Sequence, residues 1–154
     1  MPSTVAVVEE LTAHIQTFVE VPHPARLGQP VCPFARRARK GDRVAAVVAP
    51  FSATDDSAVR CAVEGFDPVD KDVLLVVHPE PDGLSYFDLS DLQLRFAGEL
   101  AGRYEVFTGH PDDPFTRAGV LTRQEPYPVL HFVRSDRLLE AERQLAPRRQ
   151  ALAG

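Results

Sequence analysis

The sequence predicts a single-domain α/β sandwich, a central mixed sheet of about four strands packed with helices, and three observations lead there. Two short apolar runs, "RVAAVVA" and "DVLLVV", are each followed by a segment of helical periodicity, the alternation that α/β folds show. A third and a fourth strand-like run, "YEVFTG" and "PVLHFVR", come later and are separated by a long broken loop, so the sheet need not be wholly parallel. The 154 residues, 44% hydrophobic and 25% charged, are enough for one core and short for two.

The elements follow in order. A first helix is expected from Thr4 to Glu20, with Val8, Leu11, Ile15 and Phe18 on one stripe, His14 beside it, and Ser3 or Thr4 as cap. "VPHPARLGQP" is broken by Pro22, Pro24, Gly28 and Pro30 and reads as a loop. A short helix from Pro33 to Lys40 ends at Gly41. Arg43 to Ala49 reads as a strand covered on both faces. A helix over Asp55 to Phe66 follows, with Ala58, Cys61, Ala62 and Phe66 inward, and then a buried strand from Asp72 to Val77 that ends at His78-Pro79. The next helix spans Leu89 to Ala101, buried through Leu89, Leu92, Phe96 and Leu100, with Asp88 as cap and Gly102 as stop.

"YEVFTG" is a third strand ending at His110-Pro111, and "PVLHFVR" a fourth that sets His131 and Val133 against Leu130 and Phe132. A last helix from Ser135 to Ala146 packs through Leu138, Leu139 and Leu145 and stops before Pro147, leaving residues 147–154 as a flexible tail. The resulting order is ααβαβαββα.

Charge narrows the function classes. A net charge of -5 and a pI of about 5.5 argue against nucleic acid or an anionic membrane as partner. No apolar run approaches the roughly 20 residues a membrane span needs, and Glu9 and Glu10 stand where a signal peptide would be apolar. The expectation is a cytoplasmic protein with a small-molecule substrate. Cys32 and Cys61 are too few for a disulfide framework and lack zinc-type spacing, which makes them free thiols.

Cys32 is the residue that stands out. With Pro33 as the first helical residue, Cys32 occupies the N-cap, where the amides of Phe34 and Ala35 and the nearby Arg36 would stabilise a thiolate. Ligand-binding groups in alternating sheets gather where strands turn into loops. His78 and His110 follow strands, Arg123 and Tyr127 lie on the loop before the fourth strand, and His131 and Arg134 lie within it. Convergence of these loops would assemble a thiol, imidazoles, guanidinium groups and a phenol. Cys32, His110, His78 and Tyr127 are therefore the candidate catalytic residues, and Arg36, Arg123, His131 and Arg134 the candidate substrate-binding ones. His110 and Arg123 are expected on loops, where truncation costs little stability, while His131 is expected to cost more.

The combination of "CPFA" after a proline-rich approach, "VVHP" ending a strand, "GHPDDPF", and above all "LTRQEPYPVLHFVRSDRLLEA" resembles the uncharacterised bacterial family catalogued as domain of unknown function 1415. The resemblance spans residues 5 to 145. "TRQEPYP" stands where the family carries an Asn-Arg-Ser-Pro-Tyr-Pro type element, which implies a divergent branch, one suited to specialised metabolism. The family supports the residue set and supplies no reaction.

Three functions fit these residues. The first is an enzyme for a small polar or anionic substrate, with a Cys32 thiolate, His110 or His78 as acid/base, and Arg123 and Arg36 holding a carboxylate or phosphate. The second is a haem-thiolate oxidative enzyme with Cys32 as axial metal ligand and haem as cofactor. The third is a non-catalytic binding or accessory protein that uses the same pocket.

Overall fold

A computed structural model describes residues 3–14, 40–115 and 124–153, with side chains through residue 144. Its elements are α1 (Thr4–His14), β1 (Val44–Val48), α2 (Ser57–Phe66), β2 (Val73–Val77), α3 (Tyr86–Glu99), β3 (Tyr104–Gly109), β4 (Val129–Arg134) and α4 (Ser135–Ala153). The short helix expected from Pro33 to Lys40 and the second half of the first helix lie outside the described residues.

The four strands form one mixed sheet in the order β1-β2-β4-β3. β1 and β2 are parallel, joined by the crossover through α2, and β4 runs antiparallel to both β2 and β3. β2 is therefore interior and buried at every residue from Val73 to Val77, which explains its uninterrupted apolar sequence. β1 is an edge strand instead, with Ala46 and Val47 exposed, so its apolar run does not mark a strand covered on both faces.

Alternation along the strands divides the core in two. On one face Leu74, Val76, Tyr104, Val106, Leu130 and Phe132 pack with Val59, Val63 and Phe66 of α2 and Leu89, Leu92 and Phe96 of α3. On the other, Val73, Leu75, Val77, Val129 and Val133 meet Val7 and Leu11 of α1, with Tyr127 and Leu138. Side chains two residues apart share a face, so His131, between Val129 and Val133, belongs to the α1 side.

Several local expectations shift. α2 buries Val59, Val63 and Phe66, which turns Cys61 outward into solvent, not into the core. α3 begins at Tyr86, capped by the Ser85 hydroxyl, which accepts from the amide of Asp88 at 3.1 Å. Asp88 instead lies in the first turn, where its charge complements the helix dipole. Gly102 takes φ 84° after this helix, the left-handed conformation that a glycine stop supplies at no steric cost. α4 continues through Pro147 to Ala153, past the end that the proline predicts. In α4 Leu138 packs inward while Leu139 stays exposed.

Candidate functional site

The polar groups of the α1 side gather around one carboxylate. Glu125, on the segment entering β4, lies directly over Gly109 at the end of β3, where a Cβ would fall 1.5 Å from its Oε2. The missing side chain at Gly109 gives Glu125 its place. From there Oε2 is 2.8 Å from Nε2 of His131. The carboxylate can only accept, so the imidazole proton is on Nε2 and donates to it. Among the described residues Nδ1 of His131 has no hydrogen-bond partner, and the side chain keeps 24% of its surface exposed against 9% for Glu125.

α1 brings a second imidazole to the same carboxylate. His14, at the last turn of the helix, hydrogen-bonds the backbone of Gln124 and feels the charges of both Glu125 and His131. One turn earlier on α1, Glu10 accepts from the Tyr127 hydroxyl at 2.6 Å. Residues four apart on a helix share a face, so Glu10 and His14 fasten α1 to the segment before β4 at two successive points.

Environment then separates the two imidazoles. Burial works against the charged form of His131, but the charge of Glu125 and its hydrogen bond outweigh that effect and raise the pKa above the ordinary histidine value. For His14 burial is the larger influence and lowers the pKa, aided by repulsion from His131 and opposed by Glu125 and the Gln124 backbone bond. The two imidazoles around this carboxylate are thus shifted in opposite directions. Tyr127 also shifts upward, because its bond to Glu10 and its burial both favour the neutral phenol.

The other residues singled out in the sequence do not join this set. His78 ends β2, presents its ring edge to Phe51 at 5.7 Å, and accepts the amide of Glu80 at Nδ1. A Cβ on Gly83 would lie 2.2 Å from its ring, so the turn is built against the imidazole. His110 is 2% exposed, with Nε2 donating to the carbonyl of Leu84 at 2.6 Å and Nδ1 accepting the amide of Asp112. Both rings brace the turn before α3, on the sheet face opposite His131. His110 is thus on a loop, as expected, but buried and bonded at both nitrogens.

Arg134 lies at the far end of β4, paired with Tyr104 at the start of β3, whereas His78 and His110 follow the opposite strand ends. Its guanidinium lies over the Phe66 ring at 4.4 Å and donates to the carbonyls of Lys71, Phe66 and Val69. It also donates to the hydroxyl of Tyr104, which in turn donates to Asp67. This fork closes the junction between α2 and β2, so the guanidinium is spent on the scaffold and does not join the imidazoles. Cys32, Arg36 and Arg123 lie outside the described residues. The sequence reading missed His14 and Glu125 as site residues. The only local hints were the position of His14 one turn beyond Glu10 and the acidic residue just before Pro126-Tyr127-Pro128.

Among the described residues no group of three or more His, Cys, Asp or Glu is arranged to hold a metal ion. None of the described helices is long and apolar enough to cross a membrane.

Fold and site together define a single-sheet α/β protein with a carboxylate–imidazole pair between the sheet and its N-terminal helix. A family model described as "Protein of unknown function (DUF1415)" matches residues 13–151, and the chain belongs to that family. No curated protein and no solved structure matches it.

Proposed function

We propose that the protein is an enzyme acting on a small polar molecule by proton transfer at His131, with Glu125 as the carboxylate that orients and stabilises the ring. One observation carries this reading: Nε2 is fixed by Glu125 at 2.8 Å while Nδ1 has no partner among the described residues. A neutral ring held this way presents the Nδ1 lone pair in a fixed direction. Taking a proton there yields an imidazolium whose charge Glu125 balances, so the carboxylate stabilises the state formed during reaction more than the resting one. A purely structural histidine has no need of an open nitrogen. The bonds at both nitrogens of His110 make that contrast within the same chain.

In this reading Cys32 keeps its expected part as a thiolate nucleophile separate from the proton taken up at His131, and Arg36 and Arg123 hold an anionic part of the substrate. His131 takes the acid/base role first assigned to His110 or His78. Hydrolysis of 4-nitrophenyl acetate, a probe for activated imidazoles and thiolates, tests it. His131→Asn should lower the rate by about 100-fold or more, the usual scale of a lost general base, and Cys32→Ser should remove any acyl-enzyme burst. Equal hydrolysis by wild type and His131→Asn refutes the proton-transfer reading, and a burst that survives Cys32→Ser refutes the thiolate.

A further inference from the structure

The residue directly across the sheet from His131 is Phe107 of β3. Opposed residues on neighbouring strands hold their Cβ atoms about 5 Å apart on the same face. Phe107 is 47% exposed although it belongs to the side of the sheet that Val129, Val133 and α1 pack against. Among the described residues no aromatic ring packs on it. Strand alternation places Glu105 and Gly109 on the same face of β3, Glu105 exposed and Gly109 beneath Glu125. Among the described residues a large apolar ring is thereby left without a ring partner beside a partly exposed imidazole whose second nitrogen has no hydrogen-bond partner.

Resting on the proposed role of His131, we infer that the substrate is a hydroxyarene, a flat ring that lies against Phe107 and carries a hydroxyl that donates to Nδ1 of His131. At the imidazole the charges favour a hydroxyl over a carboxylate as the group that meets Nδ1, so any anionic part of the substrate lies away from His131. Glu125 already supplies one negative charge to the imidazole, and Glu105 adds another on the same face of β3. A neutral O–H donor completes the chain hydroxyl to Nδ1 and Nε2–H to Glu125 without bringing a further anion into it. Proton transfer then moves the hydroxyl hydrogen to Nδ1, leaving an aryloxide beside an imidazolium, with no net change in charge across the pair.

The test compares three probes of similar size by titration against the full-length protein, following the ring resonances of Phe107 and His131 by NMR. Phenol has both features, anisole lacks the O–H, and cyclohexanol lacks the flat ring. Phenol should bind saturably, and about threefold or more tighter than either control, the scale of an aromatic contact or a single hydrogen bond. Phe107→Ala, a half-exposed position whose truncation opens no core cavity, should weaken phenol about fivefold. Absence of saturable phenol binding, equal binding of all three probes, or an unchanged phenol affinity in Phe107→Ala overturns the inference. Each of those results leaves the proton-transfer reading standing so long as 4-nitrophenyl acetate hydrolysis depends on His131. Loss of that dependence removes both.

Discussion

Gly109→Ala should disable the His131–Glu125 pair without touching either residue. The new Cβ would lie 1.5 Å from Oε2 of Glu125, 2.2 Å from Cδ and 2.7 Å from Cγ. Non-bonded carbons sit about 3.5 Å or more apart, so the carboxyl carbon must retreat by roughly 1 Å and the oxygen farther. That displacement exceeds what a 2.8 Å bond tolerates. The backbone itself offers no objection, since Gly109 lacks a positive φ, and alanine in a strand would otherwise gain about 0.5–1 kcal/mol. Set against a charge-assisted bond of about 1.5–3 kcal/mol, the expected result is a folded protein destabilised by about 1–2 kcal/mol. The diagnostic readout is the His131 imidazole, followed by NMR across pH and assigned with His131→Asn. Wild type should titrate above the ordinary value because Glu125 outweighs burial. In Gly109→Ala burial remains and Glu125 is withdrawn, so the pKa should fall, and Glu125→Gln should move it the same way. A folded Gly109→Ala whose His131 titrates like wild type refutes the geometry.

His110→Ala should cost about 2–3 kcal/mol in chemical denaturation, because truncation leaves the buried Leu84 carbonyl and Asp112 amide without their ring partners. A loss under 0.5 kcal/mol would return His110 to the class of dispensable loop residues. Arg134→Ala should cost a similar amount, about 2–3 kcal/mol, and Arg134→Lys should not restore it, since an ammonium cannot reach several carbonyls and cover the Phe66 ring at once. Full rescue by lysine would show that charge alone matters there. For pH dependence, the folded pKa of His131 is raised, so its contribution to stability is fully present below the unfolded value of about 6.5 and is lost as pH rises through the folded one. The stability gap between wild type and His131→Asn should therefore narrow with rising pH across that window. His14, shifted down, acts in the adjoining window below about 6.5, where the folded state is costlier to protonate and stability is lost as pH falls, so His14→Asn should flatten that acid-side loss. A gap that widens with rising pH would contradict the assigned sign for His131.

Local pattern determined the elements of this protein. "YEVFTG" is β3 residue for residue, and the unbroken "DVLLVV" run became the fully buried β2 because a strand packed on both faces has no polar side to show. The alternation of Leu130 and Phe132 against His131 and Val133 reproduced the two sides of β4, since the side-chain period of a strand is set by backbone geometry. The family was likewise legible, in the motifs leading into β4. Tertiary structure decided what those elements do to one another. That β1 is an edge follows from the strand order, which no property of its five residues encodes. Two histidines in identical His-Pro contexts, His78 and His110, turned into bracing groups of the turn before α3, because the nearest carbonyls and amides are long-range or loop neighbours that a motif does not reveal. The site that did form joins His14, Glu125 and His131, drawn from the first helix, a loop and the last strand. It exists because β4 inserts between β2 and β3 and carries the preceding segment back over Gly109 and against α1. Periodicity fixes the direction each side chain takes from its own backbone, whereas the meeting of two imidazoles at one carboxylate depends on chain crossings far apart in sequence.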